Sequence, residues 1–434
     1  MKTIENKKIR IALLGLGTVG GGVYEVLGGL EGELPDKIGA KLEIGKILVR
    51  DLTKAGRNVK DPSVLTNDWN SILKDPTIDI VVEVMGGMEP AKTYILQALQ
   101  SGKNVVTANK DLLAAYGKEV LNAAEEAGKD LLFEAAVAGG IPIIRPLKQC
   151  LLGNHITEVM GIVNGTTNFI LSKMTSEGME FQEALALATR LGYAEADPTA
   201  DIEGLDAARK VAILASIAFH SRVVFDDVYT EGITKITATD IRYAREMGCD
   251  IKLLGVARDT PEGIEARVHP MLIPSSHPLA SVQDSFNAVF LHGDAVDDAM
   301  FYGRGAGKLP TASAVVGDIL ECARNILWSC TGRIACSCYR EIPVKKMEDI
   351  RSRYFLRMQV EDRYGVLASV ASVFGNNCVS IEKIVQKDRW ETTAELVVIT
   401  DPVKERHLRD SLAVFEGMSI IKEISSVIRV YGDK

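Results

Sequence analysis

The chain has 434 residues, 47% hydrophobic and 25% charged, with 50 Lys and Arg against 58 Asp and Glu for a formal net charge of −8. That length predicts about two or three domains with apolar material for a core in each, the negative balance argues against nucleic acid as a partner, and no apolar run is long enough to predict a membrane span. Seven cysteines, an odd number, follow a start that reads as a strand and not as a secretory leader, which predicts free thiols and a cytoplasmic protein.

Residues 8–14, KIRIALL, read as a buried parallel strand, and GLGTVGGGVYEVLGGL as a glycine turn opening into a helix. The next strand, KLEIGKILV, ends at Arg50. Further strands are expected at 79–84, 104–108 and 130–137, with helices at PAKTYILQALQSG and GKEVLNAAEEAG between them. Strands alternating with helices predict a doubly wound parallel sheet, an α/β Rossmann-like dinucleotide-binding domain over residues 1–138. The spacing Gly15-x-Gly17-x-x-Gly20 fits that context. The first glycine allows a tight turn, the second lets a pyrophosphate approach, and the third lets helix pack on strand. The N–H groups at the helix start then face the phosphates. A nicotinamide dinucleotide is therefore the expected cofactor. At the end of the second strand Arg50 precedes Asp51, with Lys54 and Arg57 close behind. This favours NADP(H), with NAD(H) as the alternative and a plain solvated basic turn as the bland reading. Met85-Gly86-Gly87 and Thr107-Ala108-Asn109-Lys110 follow parallel strands, where open α/β sheets bind ligands; Lys110 is then a cation at the cleft mouth.

From about residue 139 the texture becomes α+β, and a catalytic and dimerisation domain is expected over 139–309. IPIIRPLKQCLLG reads as a helix, ITEVMGIVNGTTNFILSKM as strand, polar turn and helix, and FQEALALATRLGY and 204–219 as helices. IEARVHPMLI and DSFNAVFLHGD read as strands. Residues 302–307, YGRGAG, form a second glycine-rich loop, either a lid or a plain connection. A long apolar helix at 310–328 is expected to return to the first domain.

The stretch from Gly192 to Lys210 carries five carboxylates, Glu195, Asp197, Asp201, Glu203 and Asp206, before one Arg-Lys pair. Asp206 and Lys210 are four apart and share a helix face. On a surface such a pair contributes only a few tenths of a kcal/mol. The same helix is apolar nearly all round from Val211 to Phe219 and should be buried, so a pair at its head is expected to face a cleft. There a lysine can donate a proton and a carboxylate can orient it or bind an amine.

Residues 331–350 are polar and weakly periodic and are expected to be a linker. Cys322, Cys330, Cys336 and Cys338 lack zinc-site spacing, and the bland reading is helix-core thiols followed by that linker. Residues 351–434 show the order βαββαβ, a ferredoxin-like unit.

These motifs together (GLGTVG, TANK, FEAAVAGGIPII, GIVNGTTNFIL, GYAEADPTADIEGLDAARK and YGRGAGKLPTASAVVGD) resemble the homoserine dehydrogenase family, of the monofunctional kind with a C-terminal ACT domain. The resemblance implies reversible NAD(P)H-dependent reduction of aspartate 4-semialdehyde to homoserine, on the route to threonine, methionine and isoleucine. It implies Lys210 as proton donor, Lys110 as a second lysine, and Glu195 and Asp206, with Asp201 as a weaker candidate, as groups for the substrate amine. It implies Thr18, Val19, Arg50, Lys110 and Gly307 as cofactor contacts. Glu134, Val137, Gly139 and Ile141 resemble a backbone-carbonyl site for sodium. The ACT unit, with Glu361-Asp362-x-x-Gly365-Val366-Leu367 at its first turn, implies an amino-acid effector, here threonine, and a homodimer or homotetramer is implied. The stretch TGRIACSCYREIPVKKMED is the least family-like.

Overall fold

The computed structural model describes residues 7–390 and 392–432. The first six residues of the opening segment, Glu391 at the head of an expected strand, and the last two residues of the C-terminal unit lie outside the described residues. The chain divides into two compact units, residues 1–157, 212–226 and 287–341 forming the first and 158–211, 227–286 and 342–434 the second.

The first unit holds a six-stranded sheet, in the spatial order Leu65–Thr66, Lys41–Leu48, Lys8–Leu14, Ile80–Glu83, Asn104–Thr107, Leu131–Leu132. Every pairing is parallel. Strand order therefore reverses between Lys8–Leu14 and Ile80–Glu83, the point where a Rossmann-like sheet opens its ligand crevice. The strands are apolar runs because both faces are covered. Ile11, Leu13, Ile80 and Val82 are fully buried, each contributing roughly 1.5–3 kcal/mol relative to exposure. The helix Lys308–Leu327 adds Ala312, Val315, Val316 and Ile319 to the same core, against Val23 and Leu27 of the helix Thr18–Leu30. Gly22 allows that approach, since a Cβ there would lie 2.7 Å from the Lys308 carbonyl oxygen.

Three local expectations differ from the structure. The strand expected at 130–137 is only Leu131–Leu132 and gives way to a tight turn at Glu134–Ala136. The helix expected from Ile141 is confined to 144–150, with Pro146–Cys150 wound as one wide turn. One distant side chain sets where that helix starts: buried Glu134 accepts the N–H groups of Ile143, Ile144 and Arg145, donors that a helix leaves open at its first turn. Residues 302–304 belong to a strand, Asp297–Arg304, so only 305–307 remain as a loop.

The second unit is built on strands in the order Ile156–Ile162, Cys249–Thr260, Gly263–Pro274, Ile421–Val430, Arg351–Glu361, Thr393–Thr400, Ile381–Arg389. Cys249–Thr260 is a strand absent from the sequence reading. Its interior, IKLLGVA, is buried throughout and lacks the period-two pattern of a half-exposed strand. The last four strands, with the helices Val366–Asn376 and Glu405–Glu416, form the ferredoxin-like ACT unit. Its sheet continues that of the preceding α+β part, because Met271 and Leu272 pair in parallel with Arg429 and Val430. A buried ionic network reinforces this junction. Arg357 donates to Asp240 at 2.9 Å and Glu395 at 2.7 Å, Tyr243 donates to Glu395, and Arg429 bonds Glu405 and Glu231. Removing one partner of such a pair costs about 3–5 kcal/mol, because the other charge is left buried. Residues 331–350 contain little regular structure besides a turn at Met347–Asp349, yet backbone bridges tie Arg340 to Ser221 and Val344 to Ile264.

Candidate functional site

The candidate residues fall into two groups, one in each unit. In the first unit, Gly15 has φ +100° and sits against the Val84 carbonyl, where a Cβ would come within 3.1 Å. A Cβ on Gly20 would strike the Gly15 carbonyl oxygen at 2.1 Å, so helix and turn are in direct backbone contact. A Cβ on Gly17 would meet nothing within 4 Å. Thr18 and Val19 open the helix, whose first N–H groups have no side-chain cap. This is the cradle that a pyrophosphate needs: open space over the second glycine and exposed helix-start donors.

Arg50 is exposed just beyond the strand Lys41–Leu48. Asp51 caps the helix Leu52–Gly56, accepting the N–H groups of Thr53 at 2.9 Å and Lys54 at 3.0 Å. One oxygen of Asp51 is thus engaged by the backbone, while the side chains of Arg50, Lys54 and Arg57 are exposed.

The next two strand ends are joined through buried Glu83, which accepts Thr107 Oγ1 at 2.6 Å and the Met85 N–H at 2.8 Å. Asn109 holds the Gly87 carbonyl at 2.7 Å and caps the helix Lys110–Ala127. Gly86 and Gly87 both adopt positive φ, which that loop path requires. Lys110 is therefore the first residue of a capped helix, half-buried, at the carboxyl end of the sheet. Gly307, with φ +122°, precedes the helix Lys308–Leu327.

Glu134 anchors the remaining first-unit candidates. Its N–H donates to Asp318 at 2.7 Å, and Asp318 also accepts Arg145 at 2.7 Å. Burial, and then the Glu134 charge, push Asp318 up to about 7. Ala138 and Gly139 both have positive φ, and a Cβ on Gly139 would collide with the Gly305 carbonyl oxygen at 2.2 Å. The carbonyls of Val137, Gly139 and Ile141 are buried and accept no backbone hydrogen bond among the described residues. Buried carbonyls without donors suit a cation taken from the hard-oxygen class.

In the second unit Lys210, Asp206 and Asp201 form one cluster. Lys210 Nζ lies 2.6 Å from Asp206 Oδ2 and 2.7 Å from the Val163 carbonyl oxygen, with the two side chains only 11% and 10% exposed. Asn164 joins the carboxylates: its amide donates to Asp201 at 2.7 Å and to Asp206 at 2.9 Å. The other end of Asn164 accepts the Thr167 N–H at 2.9 Å and so caps the helix Gly165–Glu177. Sequence reasoning missed Asn164, although an Asn between a strand and Gly-Thr-Thr is an N-cap signal. Glu195 is exposed and stands outside this hydrogen-bonded group. The cluster presents two carboxylates for an ammonium and one lysine proton donor.

Residues 15–134 match the family described as homoserine dehydrogenase, NAD binding domain, residues 142–320 match homoserine dehydrogenase, and residues 354–416 match the ACT domain. The homoserine dehydrogenase of Corynebacterium glutamicum is 49% identical, covering 98% of this chain and 96% of its own length. That of Bacillus subtilis is 44% identical over 98% and 99%. Among solved structures, a homoserine dehydrogenase from Thiobacillus denitrificans superposes with TM-score 0.94 at 43% identity, covering 99% of each chain. A hyperthermophilic archaeal homoserine dehydrogenase mutant in complex with NADPH gives TM-score 0.63 at 28% identity, covering 73% of this chain and 98% of that one.

Proposed function

The chain belongs to the homoserine dehydrogenase family, and on that premise we propose that it interconverts aspartate 4-semialdehyde and homoserine with a nicotinamide dinucleotide. The observation that carries the reading is the Asn164-bridged cluster of Asp201, Asp206 and Lys210.

When bound, the nicotinamide supplies the hydride to the aldehyde carbon. Charge then develops on the aldehyde oxygen, and a protonated amine within hydrogen-bond reach stabilises it and gives up a proton. Lys210 has three N–H donors. Two point at Asp206 and Val163, which fix the amine and leave one for substrate oxygen. Asp206, with Asp201 and Glu195, holds the substrate ammonium, and Lys110 assists polarisation from its helix start. The oxyanion is neutralised by the lysine proton, giving homoserine, and the lysine is reprotonated from solvent.

NADP(H) is the preferred cofactor in this reading, because Arg50 stands exposed at the strand end while Asp51 is engaged as a cap. Sodium is proposed at the carbonyls of Glu134, Val137, Gly139 and Ile141. The domain division is proposed as 1–138 for cofactor binding, with the helix at 310–330 returning to it, 139–309 for catalysis and dimerisation, 331–350 as connection and 351–434 as the ACT unit. That unit is proposed to sense threonine, and the working state to be a homodimer or homotetramer in the cytoplasm. A place before threonine, methionine and isoleucine follows from homoserine as product.

The test is an initial-rate assay with homoserine and each of NADP⁺ and NAD⁺, with and without threonine. Homoserine-dependent reduction of NADP⁺ is expected, and its absence overturns the reading. Lys210→Ala should lower kcat by orders of magnitude with cofactor Kd little changed; near-normal kcat would remove Lys210 from the donor role. Arg50→Asp should lower kcat/KM for NADP⁺ by about tenfold or more, the loss of one charge-assisted phosphate contact, and leave NAD⁺ less affected. Unchanged NADP⁺ kinetics would remove Arg50 from cofactor selection.

A further inference from the structure

The first unit contains a cavity of about 270 Å³ that plays no part in the proposed hydride transfer. Its walls are apolar, with Leu113, Leu121, Phe133, Ile213 and Ile217 among them. Three cations also line it, Lys118, Lys148 and Arg222, and among the described residues no carboxylate does. At one side stand Cys336, Ser337 and Cys338, the part of the sequence with least resemblance to the family. The two thiols stand two residues apart along this wall, each with its own polar neighbour. Arg222 Nη2 donates to Cys336 Sγ at 3.3 Å, and Cys338 Sγ lies 3.6 Å from the Ser216 carbonyl oxygen. Both cysteines are part-exposed. Cationic donors around a thiol favour its thiolate.

We propose that Cys336 and Cys338 form a peroxide-reactive dithiol at this cavity, taking hydroperoxides, with Cys336 as the attacking sulfur and Cys338 as the resolving one. The Cys336 thiolate attacks the distal oxygen of ROOH. The O–O bond breaks, the alkoxide leaves and takes a proton as ROH, and the sulfur becomes a sulfenic acid. The Cys338 thiol then condenses with it, forming the S–S bond and releasing water. Two thiols are oxidised, one peroxide is reduced, and the sum is dithiol plus ROOH giving disulfide, ROH and H₂O. The apolar walls suit an organic hydroperoxide as well as hydrogen peroxide.

The electrostatics assign the roles. The neighbouring Cys338 is the largest influence drawing the Cys336 thiol below its ordinary range, with Arg222 and Lys148 adding to it. The adjacent Cys336 sulfur, then burial, hold Cys338 in its protonated form. Burial lowers Lys148, with Cys336 and Cys338 opposing that shift. Exposed Cys150 and Cys378 serve as reference thiols in the same chain.

The experiment uses the full chain, reduced and then exchanged into buffer at pH 6. Brief alkylation with iodoacetamide is read by peptide mass mapping. A thiol drawn down to about 5 gains roughly 300-fold in thiolate over an ordinary one at that pH and loses roughly 30-fold in intrinsic nucleophilicity. Cys336 should therefore label on the order of tenfold faster than Cys150 or Cys378. Treatment with hydrogen peroxide or cumene hydroperoxide should give a peptide carrying a Cys336–Cys338 disulfide. Cys338→Ser should instead leave a sulfenic acid that dimedone traps, and Arg222→Met should slow labelling of Cys336 at pH 6. If Cys336 labels no faster than the reference thiols, or peroxide yields no disulfide between the pair, the proposal is wrong.

Discussion

Asn164 performs two tasks that substitutions can separate. Its side-chain oxygen caps the helix Gly165–Glu177, and its amide bridges Asp201 and Asp206. Serine is a good N-cap but too short to bridge both carboxylates, while alanine does neither. Asn164→Ser should therefore keep the helix cap while giving up both carboxylate bonds. Asn164→Ala should be less stable than the serine variant by about 1 kcal/mol, roughly 2–4 °C in Tm for a unit of this size. Each hydrogen bond to a buried charge is worth about 1.5–3 kcal/mol. If one is realised at the transition state, both variants lose about ten- to a hundredfold in kcat/KM for homoserine. Thermal melts and steady-state kinetics with saturating cofactor read the two effects independently. A serine variant with kcat/KM within about twofold of the parent would show that the carboxylates need no bridge, and the cluster would lose its proposed role in holding the substrate.

Two further outcomes follow from the geometry. Gly17→Ala, with open space at its Cβ, should melt like the parent yet bind NADPH at least about tenfold more weakly, an order set by one lost phosphate contact, whereas Gly20→Ala should also lose stability because its Cβ meets backbone at 2.1 Å; Gly17→Ala with unchanged Kd would show that the cofactor does not cross that glycine. Lys252, which donates to the Val282 carbonyl at 2.6 Å, is pushed down to about 8 by burial. A lysine with a depressed folded pKa stabilises above its unfolded value near 10.4 and loses that stability as pH falls through about 8. Between pH 7.5 and 9.5 the parent should gain on the order of 1–2 kcal/mol relative to Lys252→Met in urea unfolding. A constant difference across that range would mean that Lys252 keeps its charge throughout.

The local sequence determined much of this protein. Apolar runs closed by glycine define the parallel strands, because a strand covered on both faces must be apolar and its turn must reach positive φ, as at Gly15. The four-residue spacing of Asp206 and Lys210 placed them on one helix face, because the helical period depends on nothing distant. What lay outside the sequence were contacts between residues far apart along the chain. Asn164 meets Asp201 and Asp206 across 37 and 42 positions, and no periodicity records such a meeting. Glu134 caps the start of a helix with backbone donors nine to eleven residues away, a contact that helix propensity at Ile143–Arg145 does not register. The pairing of Met271 with Arg429, which carries one sheet from the α+β part into the ACT unit, is likewise a tertiary decision. Alternation along a strand says which side chains face the core, but the partner along its edge is chosen by backbone groups that every residue carries alike.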